Sequence, residues 1–117
     1  MELSIHPIGD ALLVRLEEQR LDAAVAISFK EAMRSAAVHP GTPVMLDMSR
    51  IDFMDSSGLG AIVGVMKLLG PDRPLELCGL TGTVAKLFRL TRMDSVFKLH
   101  DRVPEPNADS GAQRIAG

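Results

Sequence analysis

The chain of 117 residues carries 13 lysine and arginine residues against 15 aspartate and glutamate residues, a formal net charge of -2, and 46% of it is hydrophobic. This length and balance predict one globular domain, and the lack of a basic excess argues against nucleic-acid binding and a polybasic membrane anchor. One cysteine, Cys78, excludes an intrachain disulfide and indicates a reducing compartment. No signal-peptide pattern is evident, and the weakly polar stretches are too short to span a bilayer. We therefore expect a cytoplasmic protein that binds neither nucleic acid nor membrane.

The first half of the chain predicts a hairpin, a helix and a buried strand. Apolar and polar residues alternate over residues 3–6 and again over 11–16, with turn residues between them, which is typical of an antiparallel hairpin. Asp22 is a candidate N-cap for a helix over about residues 23–38. The continuous apolar run at residues 44–46 predicts a central parallel strand that is buried on both faces.

The second half alternates helices and strands. We expect a helix at residues 57–69, a strand at 75–78, and a third helix that Thr81 or Thr83 caps and that ends near Leu90. This alternation predicts an α/β fold. It is a small domain with a mostly parallel or mixed sheet of four to five strands, an N-terminal hairpin, and helices packed on the sheet.

The composition changes near the C-terminus. From Pro104 the chain has two prolines and few large apolar side chains. We therefore expect the domain to cover residues 1–103 and the segment 104–117 to be a disordered tail.

Catalytic and cofactor-binding motifs are absent from the sequence. The three histidines are far apart and have no cysteine or acid at metal-ligand spacing, so no metal site is expected. Gly58 and Gly60 begin like a dinucleotide fingerprint, but Val63 stands where its third glycine is required. Asp55 replaces the glycine that precedes the serine of a nucleophile elbow. The sequence predicts no cofactor and no enzyme, although a serine-dependent hydrolase, with a histidine and an acid near Ser57, remains a remote alternative.

Two adjacent serines, Ser56 and Ser57, stand at the predicted start of the second helix. Unpaired N–H groups and the positive end of the helix dipole stabilise negative charge there, so a phosphorylated serine would be tolerated. The same position also suits a serine that merely caps the helix. Spacing alone leaves both interpretations open.

The second helix is apolar on both faces and carries a single charge, at Lys67. A full stripe of apolar residues is expected to face the core: Leu59, Ile62, Val63, Met66 and Leu69. The other side is also almost without polar groups: Gly60, Ala61, Gly64, Val65 and Leu68. Either another part of the chain covers this side or it contacts a partner. We favour the partner, because small residues allow close approach.

The segments LDMSRIDF and MDSSGLG, followed by GVMKLL, resemble the STAS domain family, and within it the bacterial anti-sigma-factor antagonists. RLDAAVA and LELCGLTGTVAKLFRLTRMDSVFKL also resemble family segments, so the resemblance covers about residues 2–102. Four residues match the family's motif positions around Ser57: Asp47, Asp55, Ser56 and Gly58. The family fold, a small sheet with helices, agrees with the predicted elements.

The resemblance implies a function in partner switching. Such antagonists sequester a cytoplasmic anti-sigma factor that is also a serine kinase of the GHKL ATPase type. The kinase phosphorylates the second serine of the motif, here Ser57, which releases the antagonist, and a PP2C-type phosphatase resets it. Other STAS domains are accessory subunits of transporters or parts of sensor complexes, and this remains the alternative. The intact DSSG motif favours membership of the antagonists that are regulated by phosphorylation.

Overall fold

The computed structural model describes residues 1–105 and the backbone of residues 113–115. Its strands are β1 Leu3–Ile8, β2 Ala11–Leu16, β3 Arg20–Leu21, β4 Val44–Asp47, β5 Phe53–Met54, β6 Leu75–Cys78, β7 Leu99–His100 and β8 Gln113–Ile115. Its helices are α1 Ala26–Ala36, α2 Ser56–Leu69 and α3 Gly82–Leu90, followed by a short 3-10 turn at Met93–Ser95. None of the helices in these residues is long and apolar enough to cross a membrane.

A mixed sheet of six strands, in the order β7-β6-β4-β2-β1-β8, forms the centre of the fold. The predicted hairpin is confirmed, because β1 and β2 pair antiparallel with Leu3 opposite Leu16. The central and parallel position predicted for residues 44–46 is also confirmed, since β4 pairs parallel with both β2 and β6, although Met45 is only half-buried. Strands β3 and β5 form a separate parallel pair, in which Arg20 lies opposite Phe53 and Leu21 opposite Met54. Strand β5 directly precedes α2 in the chain, and α2 contacts both strands of the pair.

The hydrophobic core covers one face of the large sheet. The register aligns Val14, Leu46 and Leu77 across three neighbouring strands, and all three are fully buried. All three helices add buried side chains to the same cluster, among them Phe29 from α1 and Phe88 from α3. The predicted α/β fold with helices packed on a mixed sheet is thereby confirmed.

The N-terminus of α1 differs from the prediction. The helix begins at Ala26, not near residue 23, and its N-cap residue, Val25, has no side-chain capping bond. The Asp22 carboxylate instead accepts a hydrogen bond of 3.1 Å from the backbone N–H of Ala24. This local bond closes a turn before the helix, a common alternative use of an aspartate that could cap.

The C-terminus of α1 is held by an arginine from a distant segment. The Arg73 guanidinium donates to the carbonyl oxygens of Ala37, His39 and Gly41. These carbonyls lie at and just beyond the end of the helix, where backbone acceptors have no partner within the helix. Arg73 therefore connects the loop before β6 to the end of α1.

The prediction of a disordered tail falls largely outside the described residues, at 106–112 and 116–117. There it stays a prediction. At Gln113–Ile115, however, the structure has the strand β8, which pairs antiparallel with β1 and extends the sheet beyond the four to five strands expected. A composition that is poor in apolar side chains does not prevent this pairing, because the bonds are formed by the backbone.

The predicted assignment of residues to the two faces of α2 is partly wrong. Ile62 is buried as expected, but Ala61 and Val65, which were assigned to the outer face, are buried as well. Helix α1 packs against α2 and covers the side on which these two residues lie. The exposed part of α2 is consequently narrower than predicted and includes Gly60 and Leu68.

We predict that Val65 and Leu68 respond differently to the same substitution. Val65 is 1% exposed, so Val65→Thr buries a hydroxyl and should lower the free energy of unfolding by about 1–3 kcal/mol. Leu68 is 46% exposed, so Leu68→Thr should cost less than about 1 kcal/mol. Urea denaturation of both variants measures the difference. Equal losses would show that the helix is rotated relative to the arrangement described.

Candidate functional site

The start of α2 is capped by Asp55. This residue has an extended backbone, with φ -112° and ψ -176°, and its side-chain oxygen Oδ1 accepts a hydrogen bond of 2.9 Å from the backbone N–H of Gly58. A carboxylate in this position satisfies one of the unpaired N–H groups of the first turn and interacts favourably with the helix dipole. The interpretation of a serine as the cap is therefore wrong: the cap is the residue before the two serines.

The second carboxylate oxygen of Asp55 binds another part of the chain. Oδ2 accepts a hydrogen bond of 3.2 Å from the backbone N–H of Ala23, which precedes α1. The bond from the Gly58 N–H lowers the pKa of Asp55 below its ordinary value; partial burial opposes this change, and the Ala23 N–H adds to it. One ionised side chain thus joins the start of α2 to the segment before α1.

Gly58 allows α2 to approach β3 closely. A Cβ atom at this position would overlap the carbonyl oxygen of Leu21 and lie 2.8 Å from its carbonyl carbon. Gly60, one residue beyond Leu59 on the same helix, has open space where a Cβ would be placed. The glycine at position 58 is therefore required by the contact between the helix and the strand, and it is buried and cannot itself contact a partner.

Ser56 and Ser57 are the first two residues of α2, and both are exposed. Within residues 1–105, no hydrogen bond involves either hydroxyl group. Because Asp55 caps the helix, neither hydroxyl is needed for local structure. Both are accessible to another protein, on a helix end that two hydrogen bonds and a close backbone contact hold in place.

Asp47 was predicted as a motif and interface residue, but its side chain is fully buried. It forms an ion pair with Arg15, with 2.8 Å between Nε and Oδ2, and Oδ1 accepts a bond of 2.9 Å from the Ser49 N–H. A buried carboxylate cannot contact a partner directly. Asp47 instead fixes the loop that leads from β4 toward the serines.

The remaining predicted interface residues lie along α2 with different accessibility. Gly60 and Leu68 are exposed, Gly64 is half-buried, and Val65 is buried in the core. The assignment of Val65 to the interface is therefore wrong. Gly60 lies one turn from the serines, whereas Gly64 and Leu68 lie in the C-terminal half of the helix, so the predicted set does not form a single compact patch.

A groove rich in carboxylates, which the sequence did not reveal, is formed by the segment that precedes α1. Its volume is about 530 Å³, and its lining includes the carboxylates of Glu17, Glu18 and Asp22. Arg20 also lines it, donates a 3.1 Å bond to Asp22, and stacks on Phe53 with 4.5 Å between the guanidinium carbon and the ring centroid. Arg20 lies on β3 and Phe53 on β5, and these two strands are too short to be recognised from periodicity.

Groups that could support catalysis are not assembled around the serines. Burial raises the pKa of the Cys78 thiol to about 12, with the Asp47 carboxylate adding to the effect, so the thiol stays protonated and unreactive. His100 is bonded to Glu76 at 2.7 Å, on strands of the large sheet. Within residues 1–105, no bond joins a histidine to either serine, and no group of three metal-ligating side chains occurs there.

Comparisons with known proteins agree with this architecture. The family model described as STAS domain matches residues 2–105. An anti-sigma-B factor antagonist of Listeria monocytogenes is 31% identical over 91 residues, which cover 77% of this chain and 80% of the relative. The crystal structure of an anti-sigma factor antagonist from Mycobacterium paratuberculosis has a TM-score of 0.75 at 19% identity and covers 88% of this chain and 86% of its own. The structure of the phosphorylated form of the Bacillus cell fate determinant SpoIIAA has a TM-score of 0.58 at 20% identity. The match covers 85% of this chain and 91% of the SpoIIAA chain.

We predict opposite effects of the same substitution at two glycines of α2. Gly58→Ala forces the helix away from Leu21 and should lower the free energy of unfolding by at least about 1 kcal/mol, even after the gain in helix propensity. Gly60→Ala fills open space and should raise it by up to about 1 kcal/mol. Thermal and urea unfolding of the two variants provide the comparison. A stabilising effect at position 58 would contradict the close contact.

A second prediction concerns the pH dependence of stability. Because the pKa of Asp55 is lower in the folded chain than its ordinary value of 3.8, its contribution to stability is complete above pH 3.8. This contribution is lost as the pH falls through the folded-state pKa. Asp55→Asn removes the titration, so its free energy of unfolding should fall less steeply than that of the wild type below pH 3.8.

Urea denaturation at a series of pH values measures the two slopes. Asp72→Asn, which changes an exposed carboxylate in the turn after α2, is the matched control for the loss of one negative charge. Parallel curves for the wild type and Asp55→Asn would contradict the role of the Asp55 carboxylate in the cap.

Proposed function

This chain belongs to the STAS domain family, and we propose that it acts as an anti-sigma-factor antagonist that phosphorylation of Ser57 switches off. In this proposal the unmodified protein binds a cytoplasmic anti-sigma factor that is also a serine kinase of the GHKL type. Binding frees a sigma factor for transcription. The kinase transfers phosphate to Ser57, the complex dissociates, and a PP2C-type phosphatase restores the active form. The chain itself is a binding protein and not an enzyme.

The observation that carries the proposal is the pair of exposed serines on a helix end that Asp55 caps. A kinase needs a hydroxyl that is accessible and is not engaged in holding the fold together, and both serines meet this condition. The name of the Listeria relative supports the antagonist role, and the phosphorylated form of SpoIIAA supports a switch in a protein of like fold. The choice of Ser57 over Ser56 rests on the motif DSSG, whose second serine is the modified one in the family.

Phosphorylation of Ser57 is expected to leave the fold intact. A phosphoserine adds about -1.5 to -2 charges. The positive end of the α2 dipole stabilises this negative charge by about 0.3–1 kcal/mol for an exposed group. No buried group has to move, because the Ser57 side chain is already exposed.

The loss of binding is expected at the interface. The phosphate must give up its hydration when the partner covers it, which is unfavourable unless a new cation pairs with it. Repulsion from one partner carboxylate at about 5 Å and an effective dielectric constant near 20 amounts to about 3 kcal/mol per unit charge before screening. This corresponds to a loss of affinity of about a hundredfold or more.

The test begins with a candidate GHKL-type anti-sigma factor from the native cell. The wild-type chain is incubated with this kinase and ATP, and mass spectrometry locates the phosphate. We expect modification of Ser57 in the wild type and in Ser56→Ala, and none in Ser57→Ala. Ser56→Ala is the matched control, because it removes the neighbouring exposed hydroxyl.

Binding of the same variants provides the second readout. Ser57→Ala should bind the kinase as tightly as the wild type and should not be released by ATP. Ser57→Asp carries less charge than a phosphate and should weaken binding only in part. A phosphate on Ser56, or tight binding with no phosphate on either serine, would overturn the proposed switch.

A further inference from the structure

A basic groove lies between α1 and the C-terminal half of α2. Its volume is about 330 Å³, and it is lined by Lys30 and Arg34 from α1 and by Gly64, Val65, Lys67 and Leu68 from α2. Ser57 and Gly64 are seven residues apart, which corresponds to about 10 Å along the helix axis. The groove is therefore a separate surface from the serines.

No carboxylate within residues 1–105 forms an ion pair with the cations of this groove. Three cationic side chains line it and no carboxylate does. Among residues 1–105, the arginines that form ion pairs are Arg15, Arg20 and Arg50, and none of the three groove cations has such a partner. A chain with a net charge of -2 thus places three unpaired positive charges side by side.

Helix stability does not account for this arrangement. Arg34 and Lys67 stand in the last turns of their helices, where a cation favours the dipole. Lys30 lies in the middle of α1, gains nothing from the dipole, and is repelled by Arg34 at a spacing of four residues.

The walls and floor of the groove are apolar between the cations. Gly64 has no side chain, and a Cβ placed there would lie 3.5 Å from the Cδ atom of Lys30, an ordinary contact. Leu68 is 46% exposed beside it. An occupant can therefore contact the exposed Leu68 while its own charges face Lys30, Arg34 and Lys67.

The groove continues toward the end of α1. A second hollow of about 280 Å³ shares Arg34 and Leu68 with the first and includes Val38, which is 80% exposed. Arg73 also lines it, but its guanidinium is engaged with the carbonyl oxygens after α1. The extension is therefore mainly apolar. From Lys30 to Val38 the surface spans about 12 Å, the length of two helical turns.

We propose that this groove docks an acidic amphipathic helix of a partner protein. Its carboxylates would pair with Lys30, Arg34 and Lys67, and its apolar side chains would cover Leu68 and Val38. This occupant satisfies both the unpaired charges and the exposed apolar side chains, which is the combination found in helix-in-groove recognition. A bilayer is flat and would not enter a groove between two helices.

The probe is a synthetic helical peptide of about 14 residues, with leucines on one face and glutamates on both sides of them. Fluorescence anisotropy measures its affinity, and NMR of the 15N-labelled protein locates it. We expect saturable binding, shifts centred on the amides of Gly64 and Leu68, and weaker binding at higher ionic strength. Lys30→Glu with Arg34→Glu should weaken binding at least tenfold, and Leu68→Ser should weaken it severalfold.

The matched control reverses two exposed cations on another helix. Lys86→Glu with Arg89→Glu on α3 changes the net charge equally and should alter the affinity less than twofold. Ser57→Asp should bind the peptide as the wild type does, so failure of the serine switch and failure of this groove are separately visible.

Three outcomes would overturn the proposal. The first is an equal loss of affinity in the control pair. The second is equal affinity for a scrambled peptide with the same charge but no apolar face. The third is binding of anionic phospholipid vesicles at the groove together with no detectable binding of the peptide. Circular dichroism of each variant confirms that a loss of binding is not a loss of fold.

Discussion

The contact between the first turn of α2 and the segment around β3 holds the surface that carries Ser56 and Ser57 in place. Gly58 lies against the backbone of Leu21, and the Asp55 carboxylate bonds both Gly58 and Ala23. A side chain at position 58 or a missing carboxylate at position 55 would separate the two segments. The two serines are exposed and still held in a fixed position, because Asp55 before them and Gly58 after them form the contacts with the rest of the fold.

Helix α2 connects two surfaces of different chemistry. Its N-terminus carries the serines and contacts β3 at Leu21, and the segment around β3 lines a groove with the carboxylates of Glu17, Glu18 and Asp22. Its C-terminal half borders a groove with three cations. The helix between them is fixed by Ile62 and Val65 in the core. Two of the three carboxylates are paired with arginines, whereas the three cations have no ion-pair partner among residues 1–105, so the two surfaces suit different kinds of contact.

Much of the fold and part of the site follow from the sequence. Alternating residues at β1 and β2 and the apolar run at β4 predict these strands because burial imposes the pattern directly. The orientation of α2 could not be predicted, because an apolar helix with glycine and alanine fits a core on either side, and only the position of α1 decides that Val65 is inside. The second bond of the Asp55 carboxylate, to the backbone N–H of Ala23, joins residues more than thirty positions apart, so no local pattern reveals it. Strands of two residues, such as β3 and β5, leave no periodic signal.

In the proposed switch, negative charge at Ser57 changes what the protein binds without changing how it folds. The most direct measurement compares backbone amide NMR spectra of the unmodified chain and the chain phosphorylated at Ser57, together with their affinities for the same anti-sigma factor. We expect shifts confined to the start of α2 and the adjacent segment around Ala23, with affinity lower by about a hundredfold or more. Shifts that spread through the strands β2, β4 and β6, or an affinity unchanged by the phosphate, would contradict it.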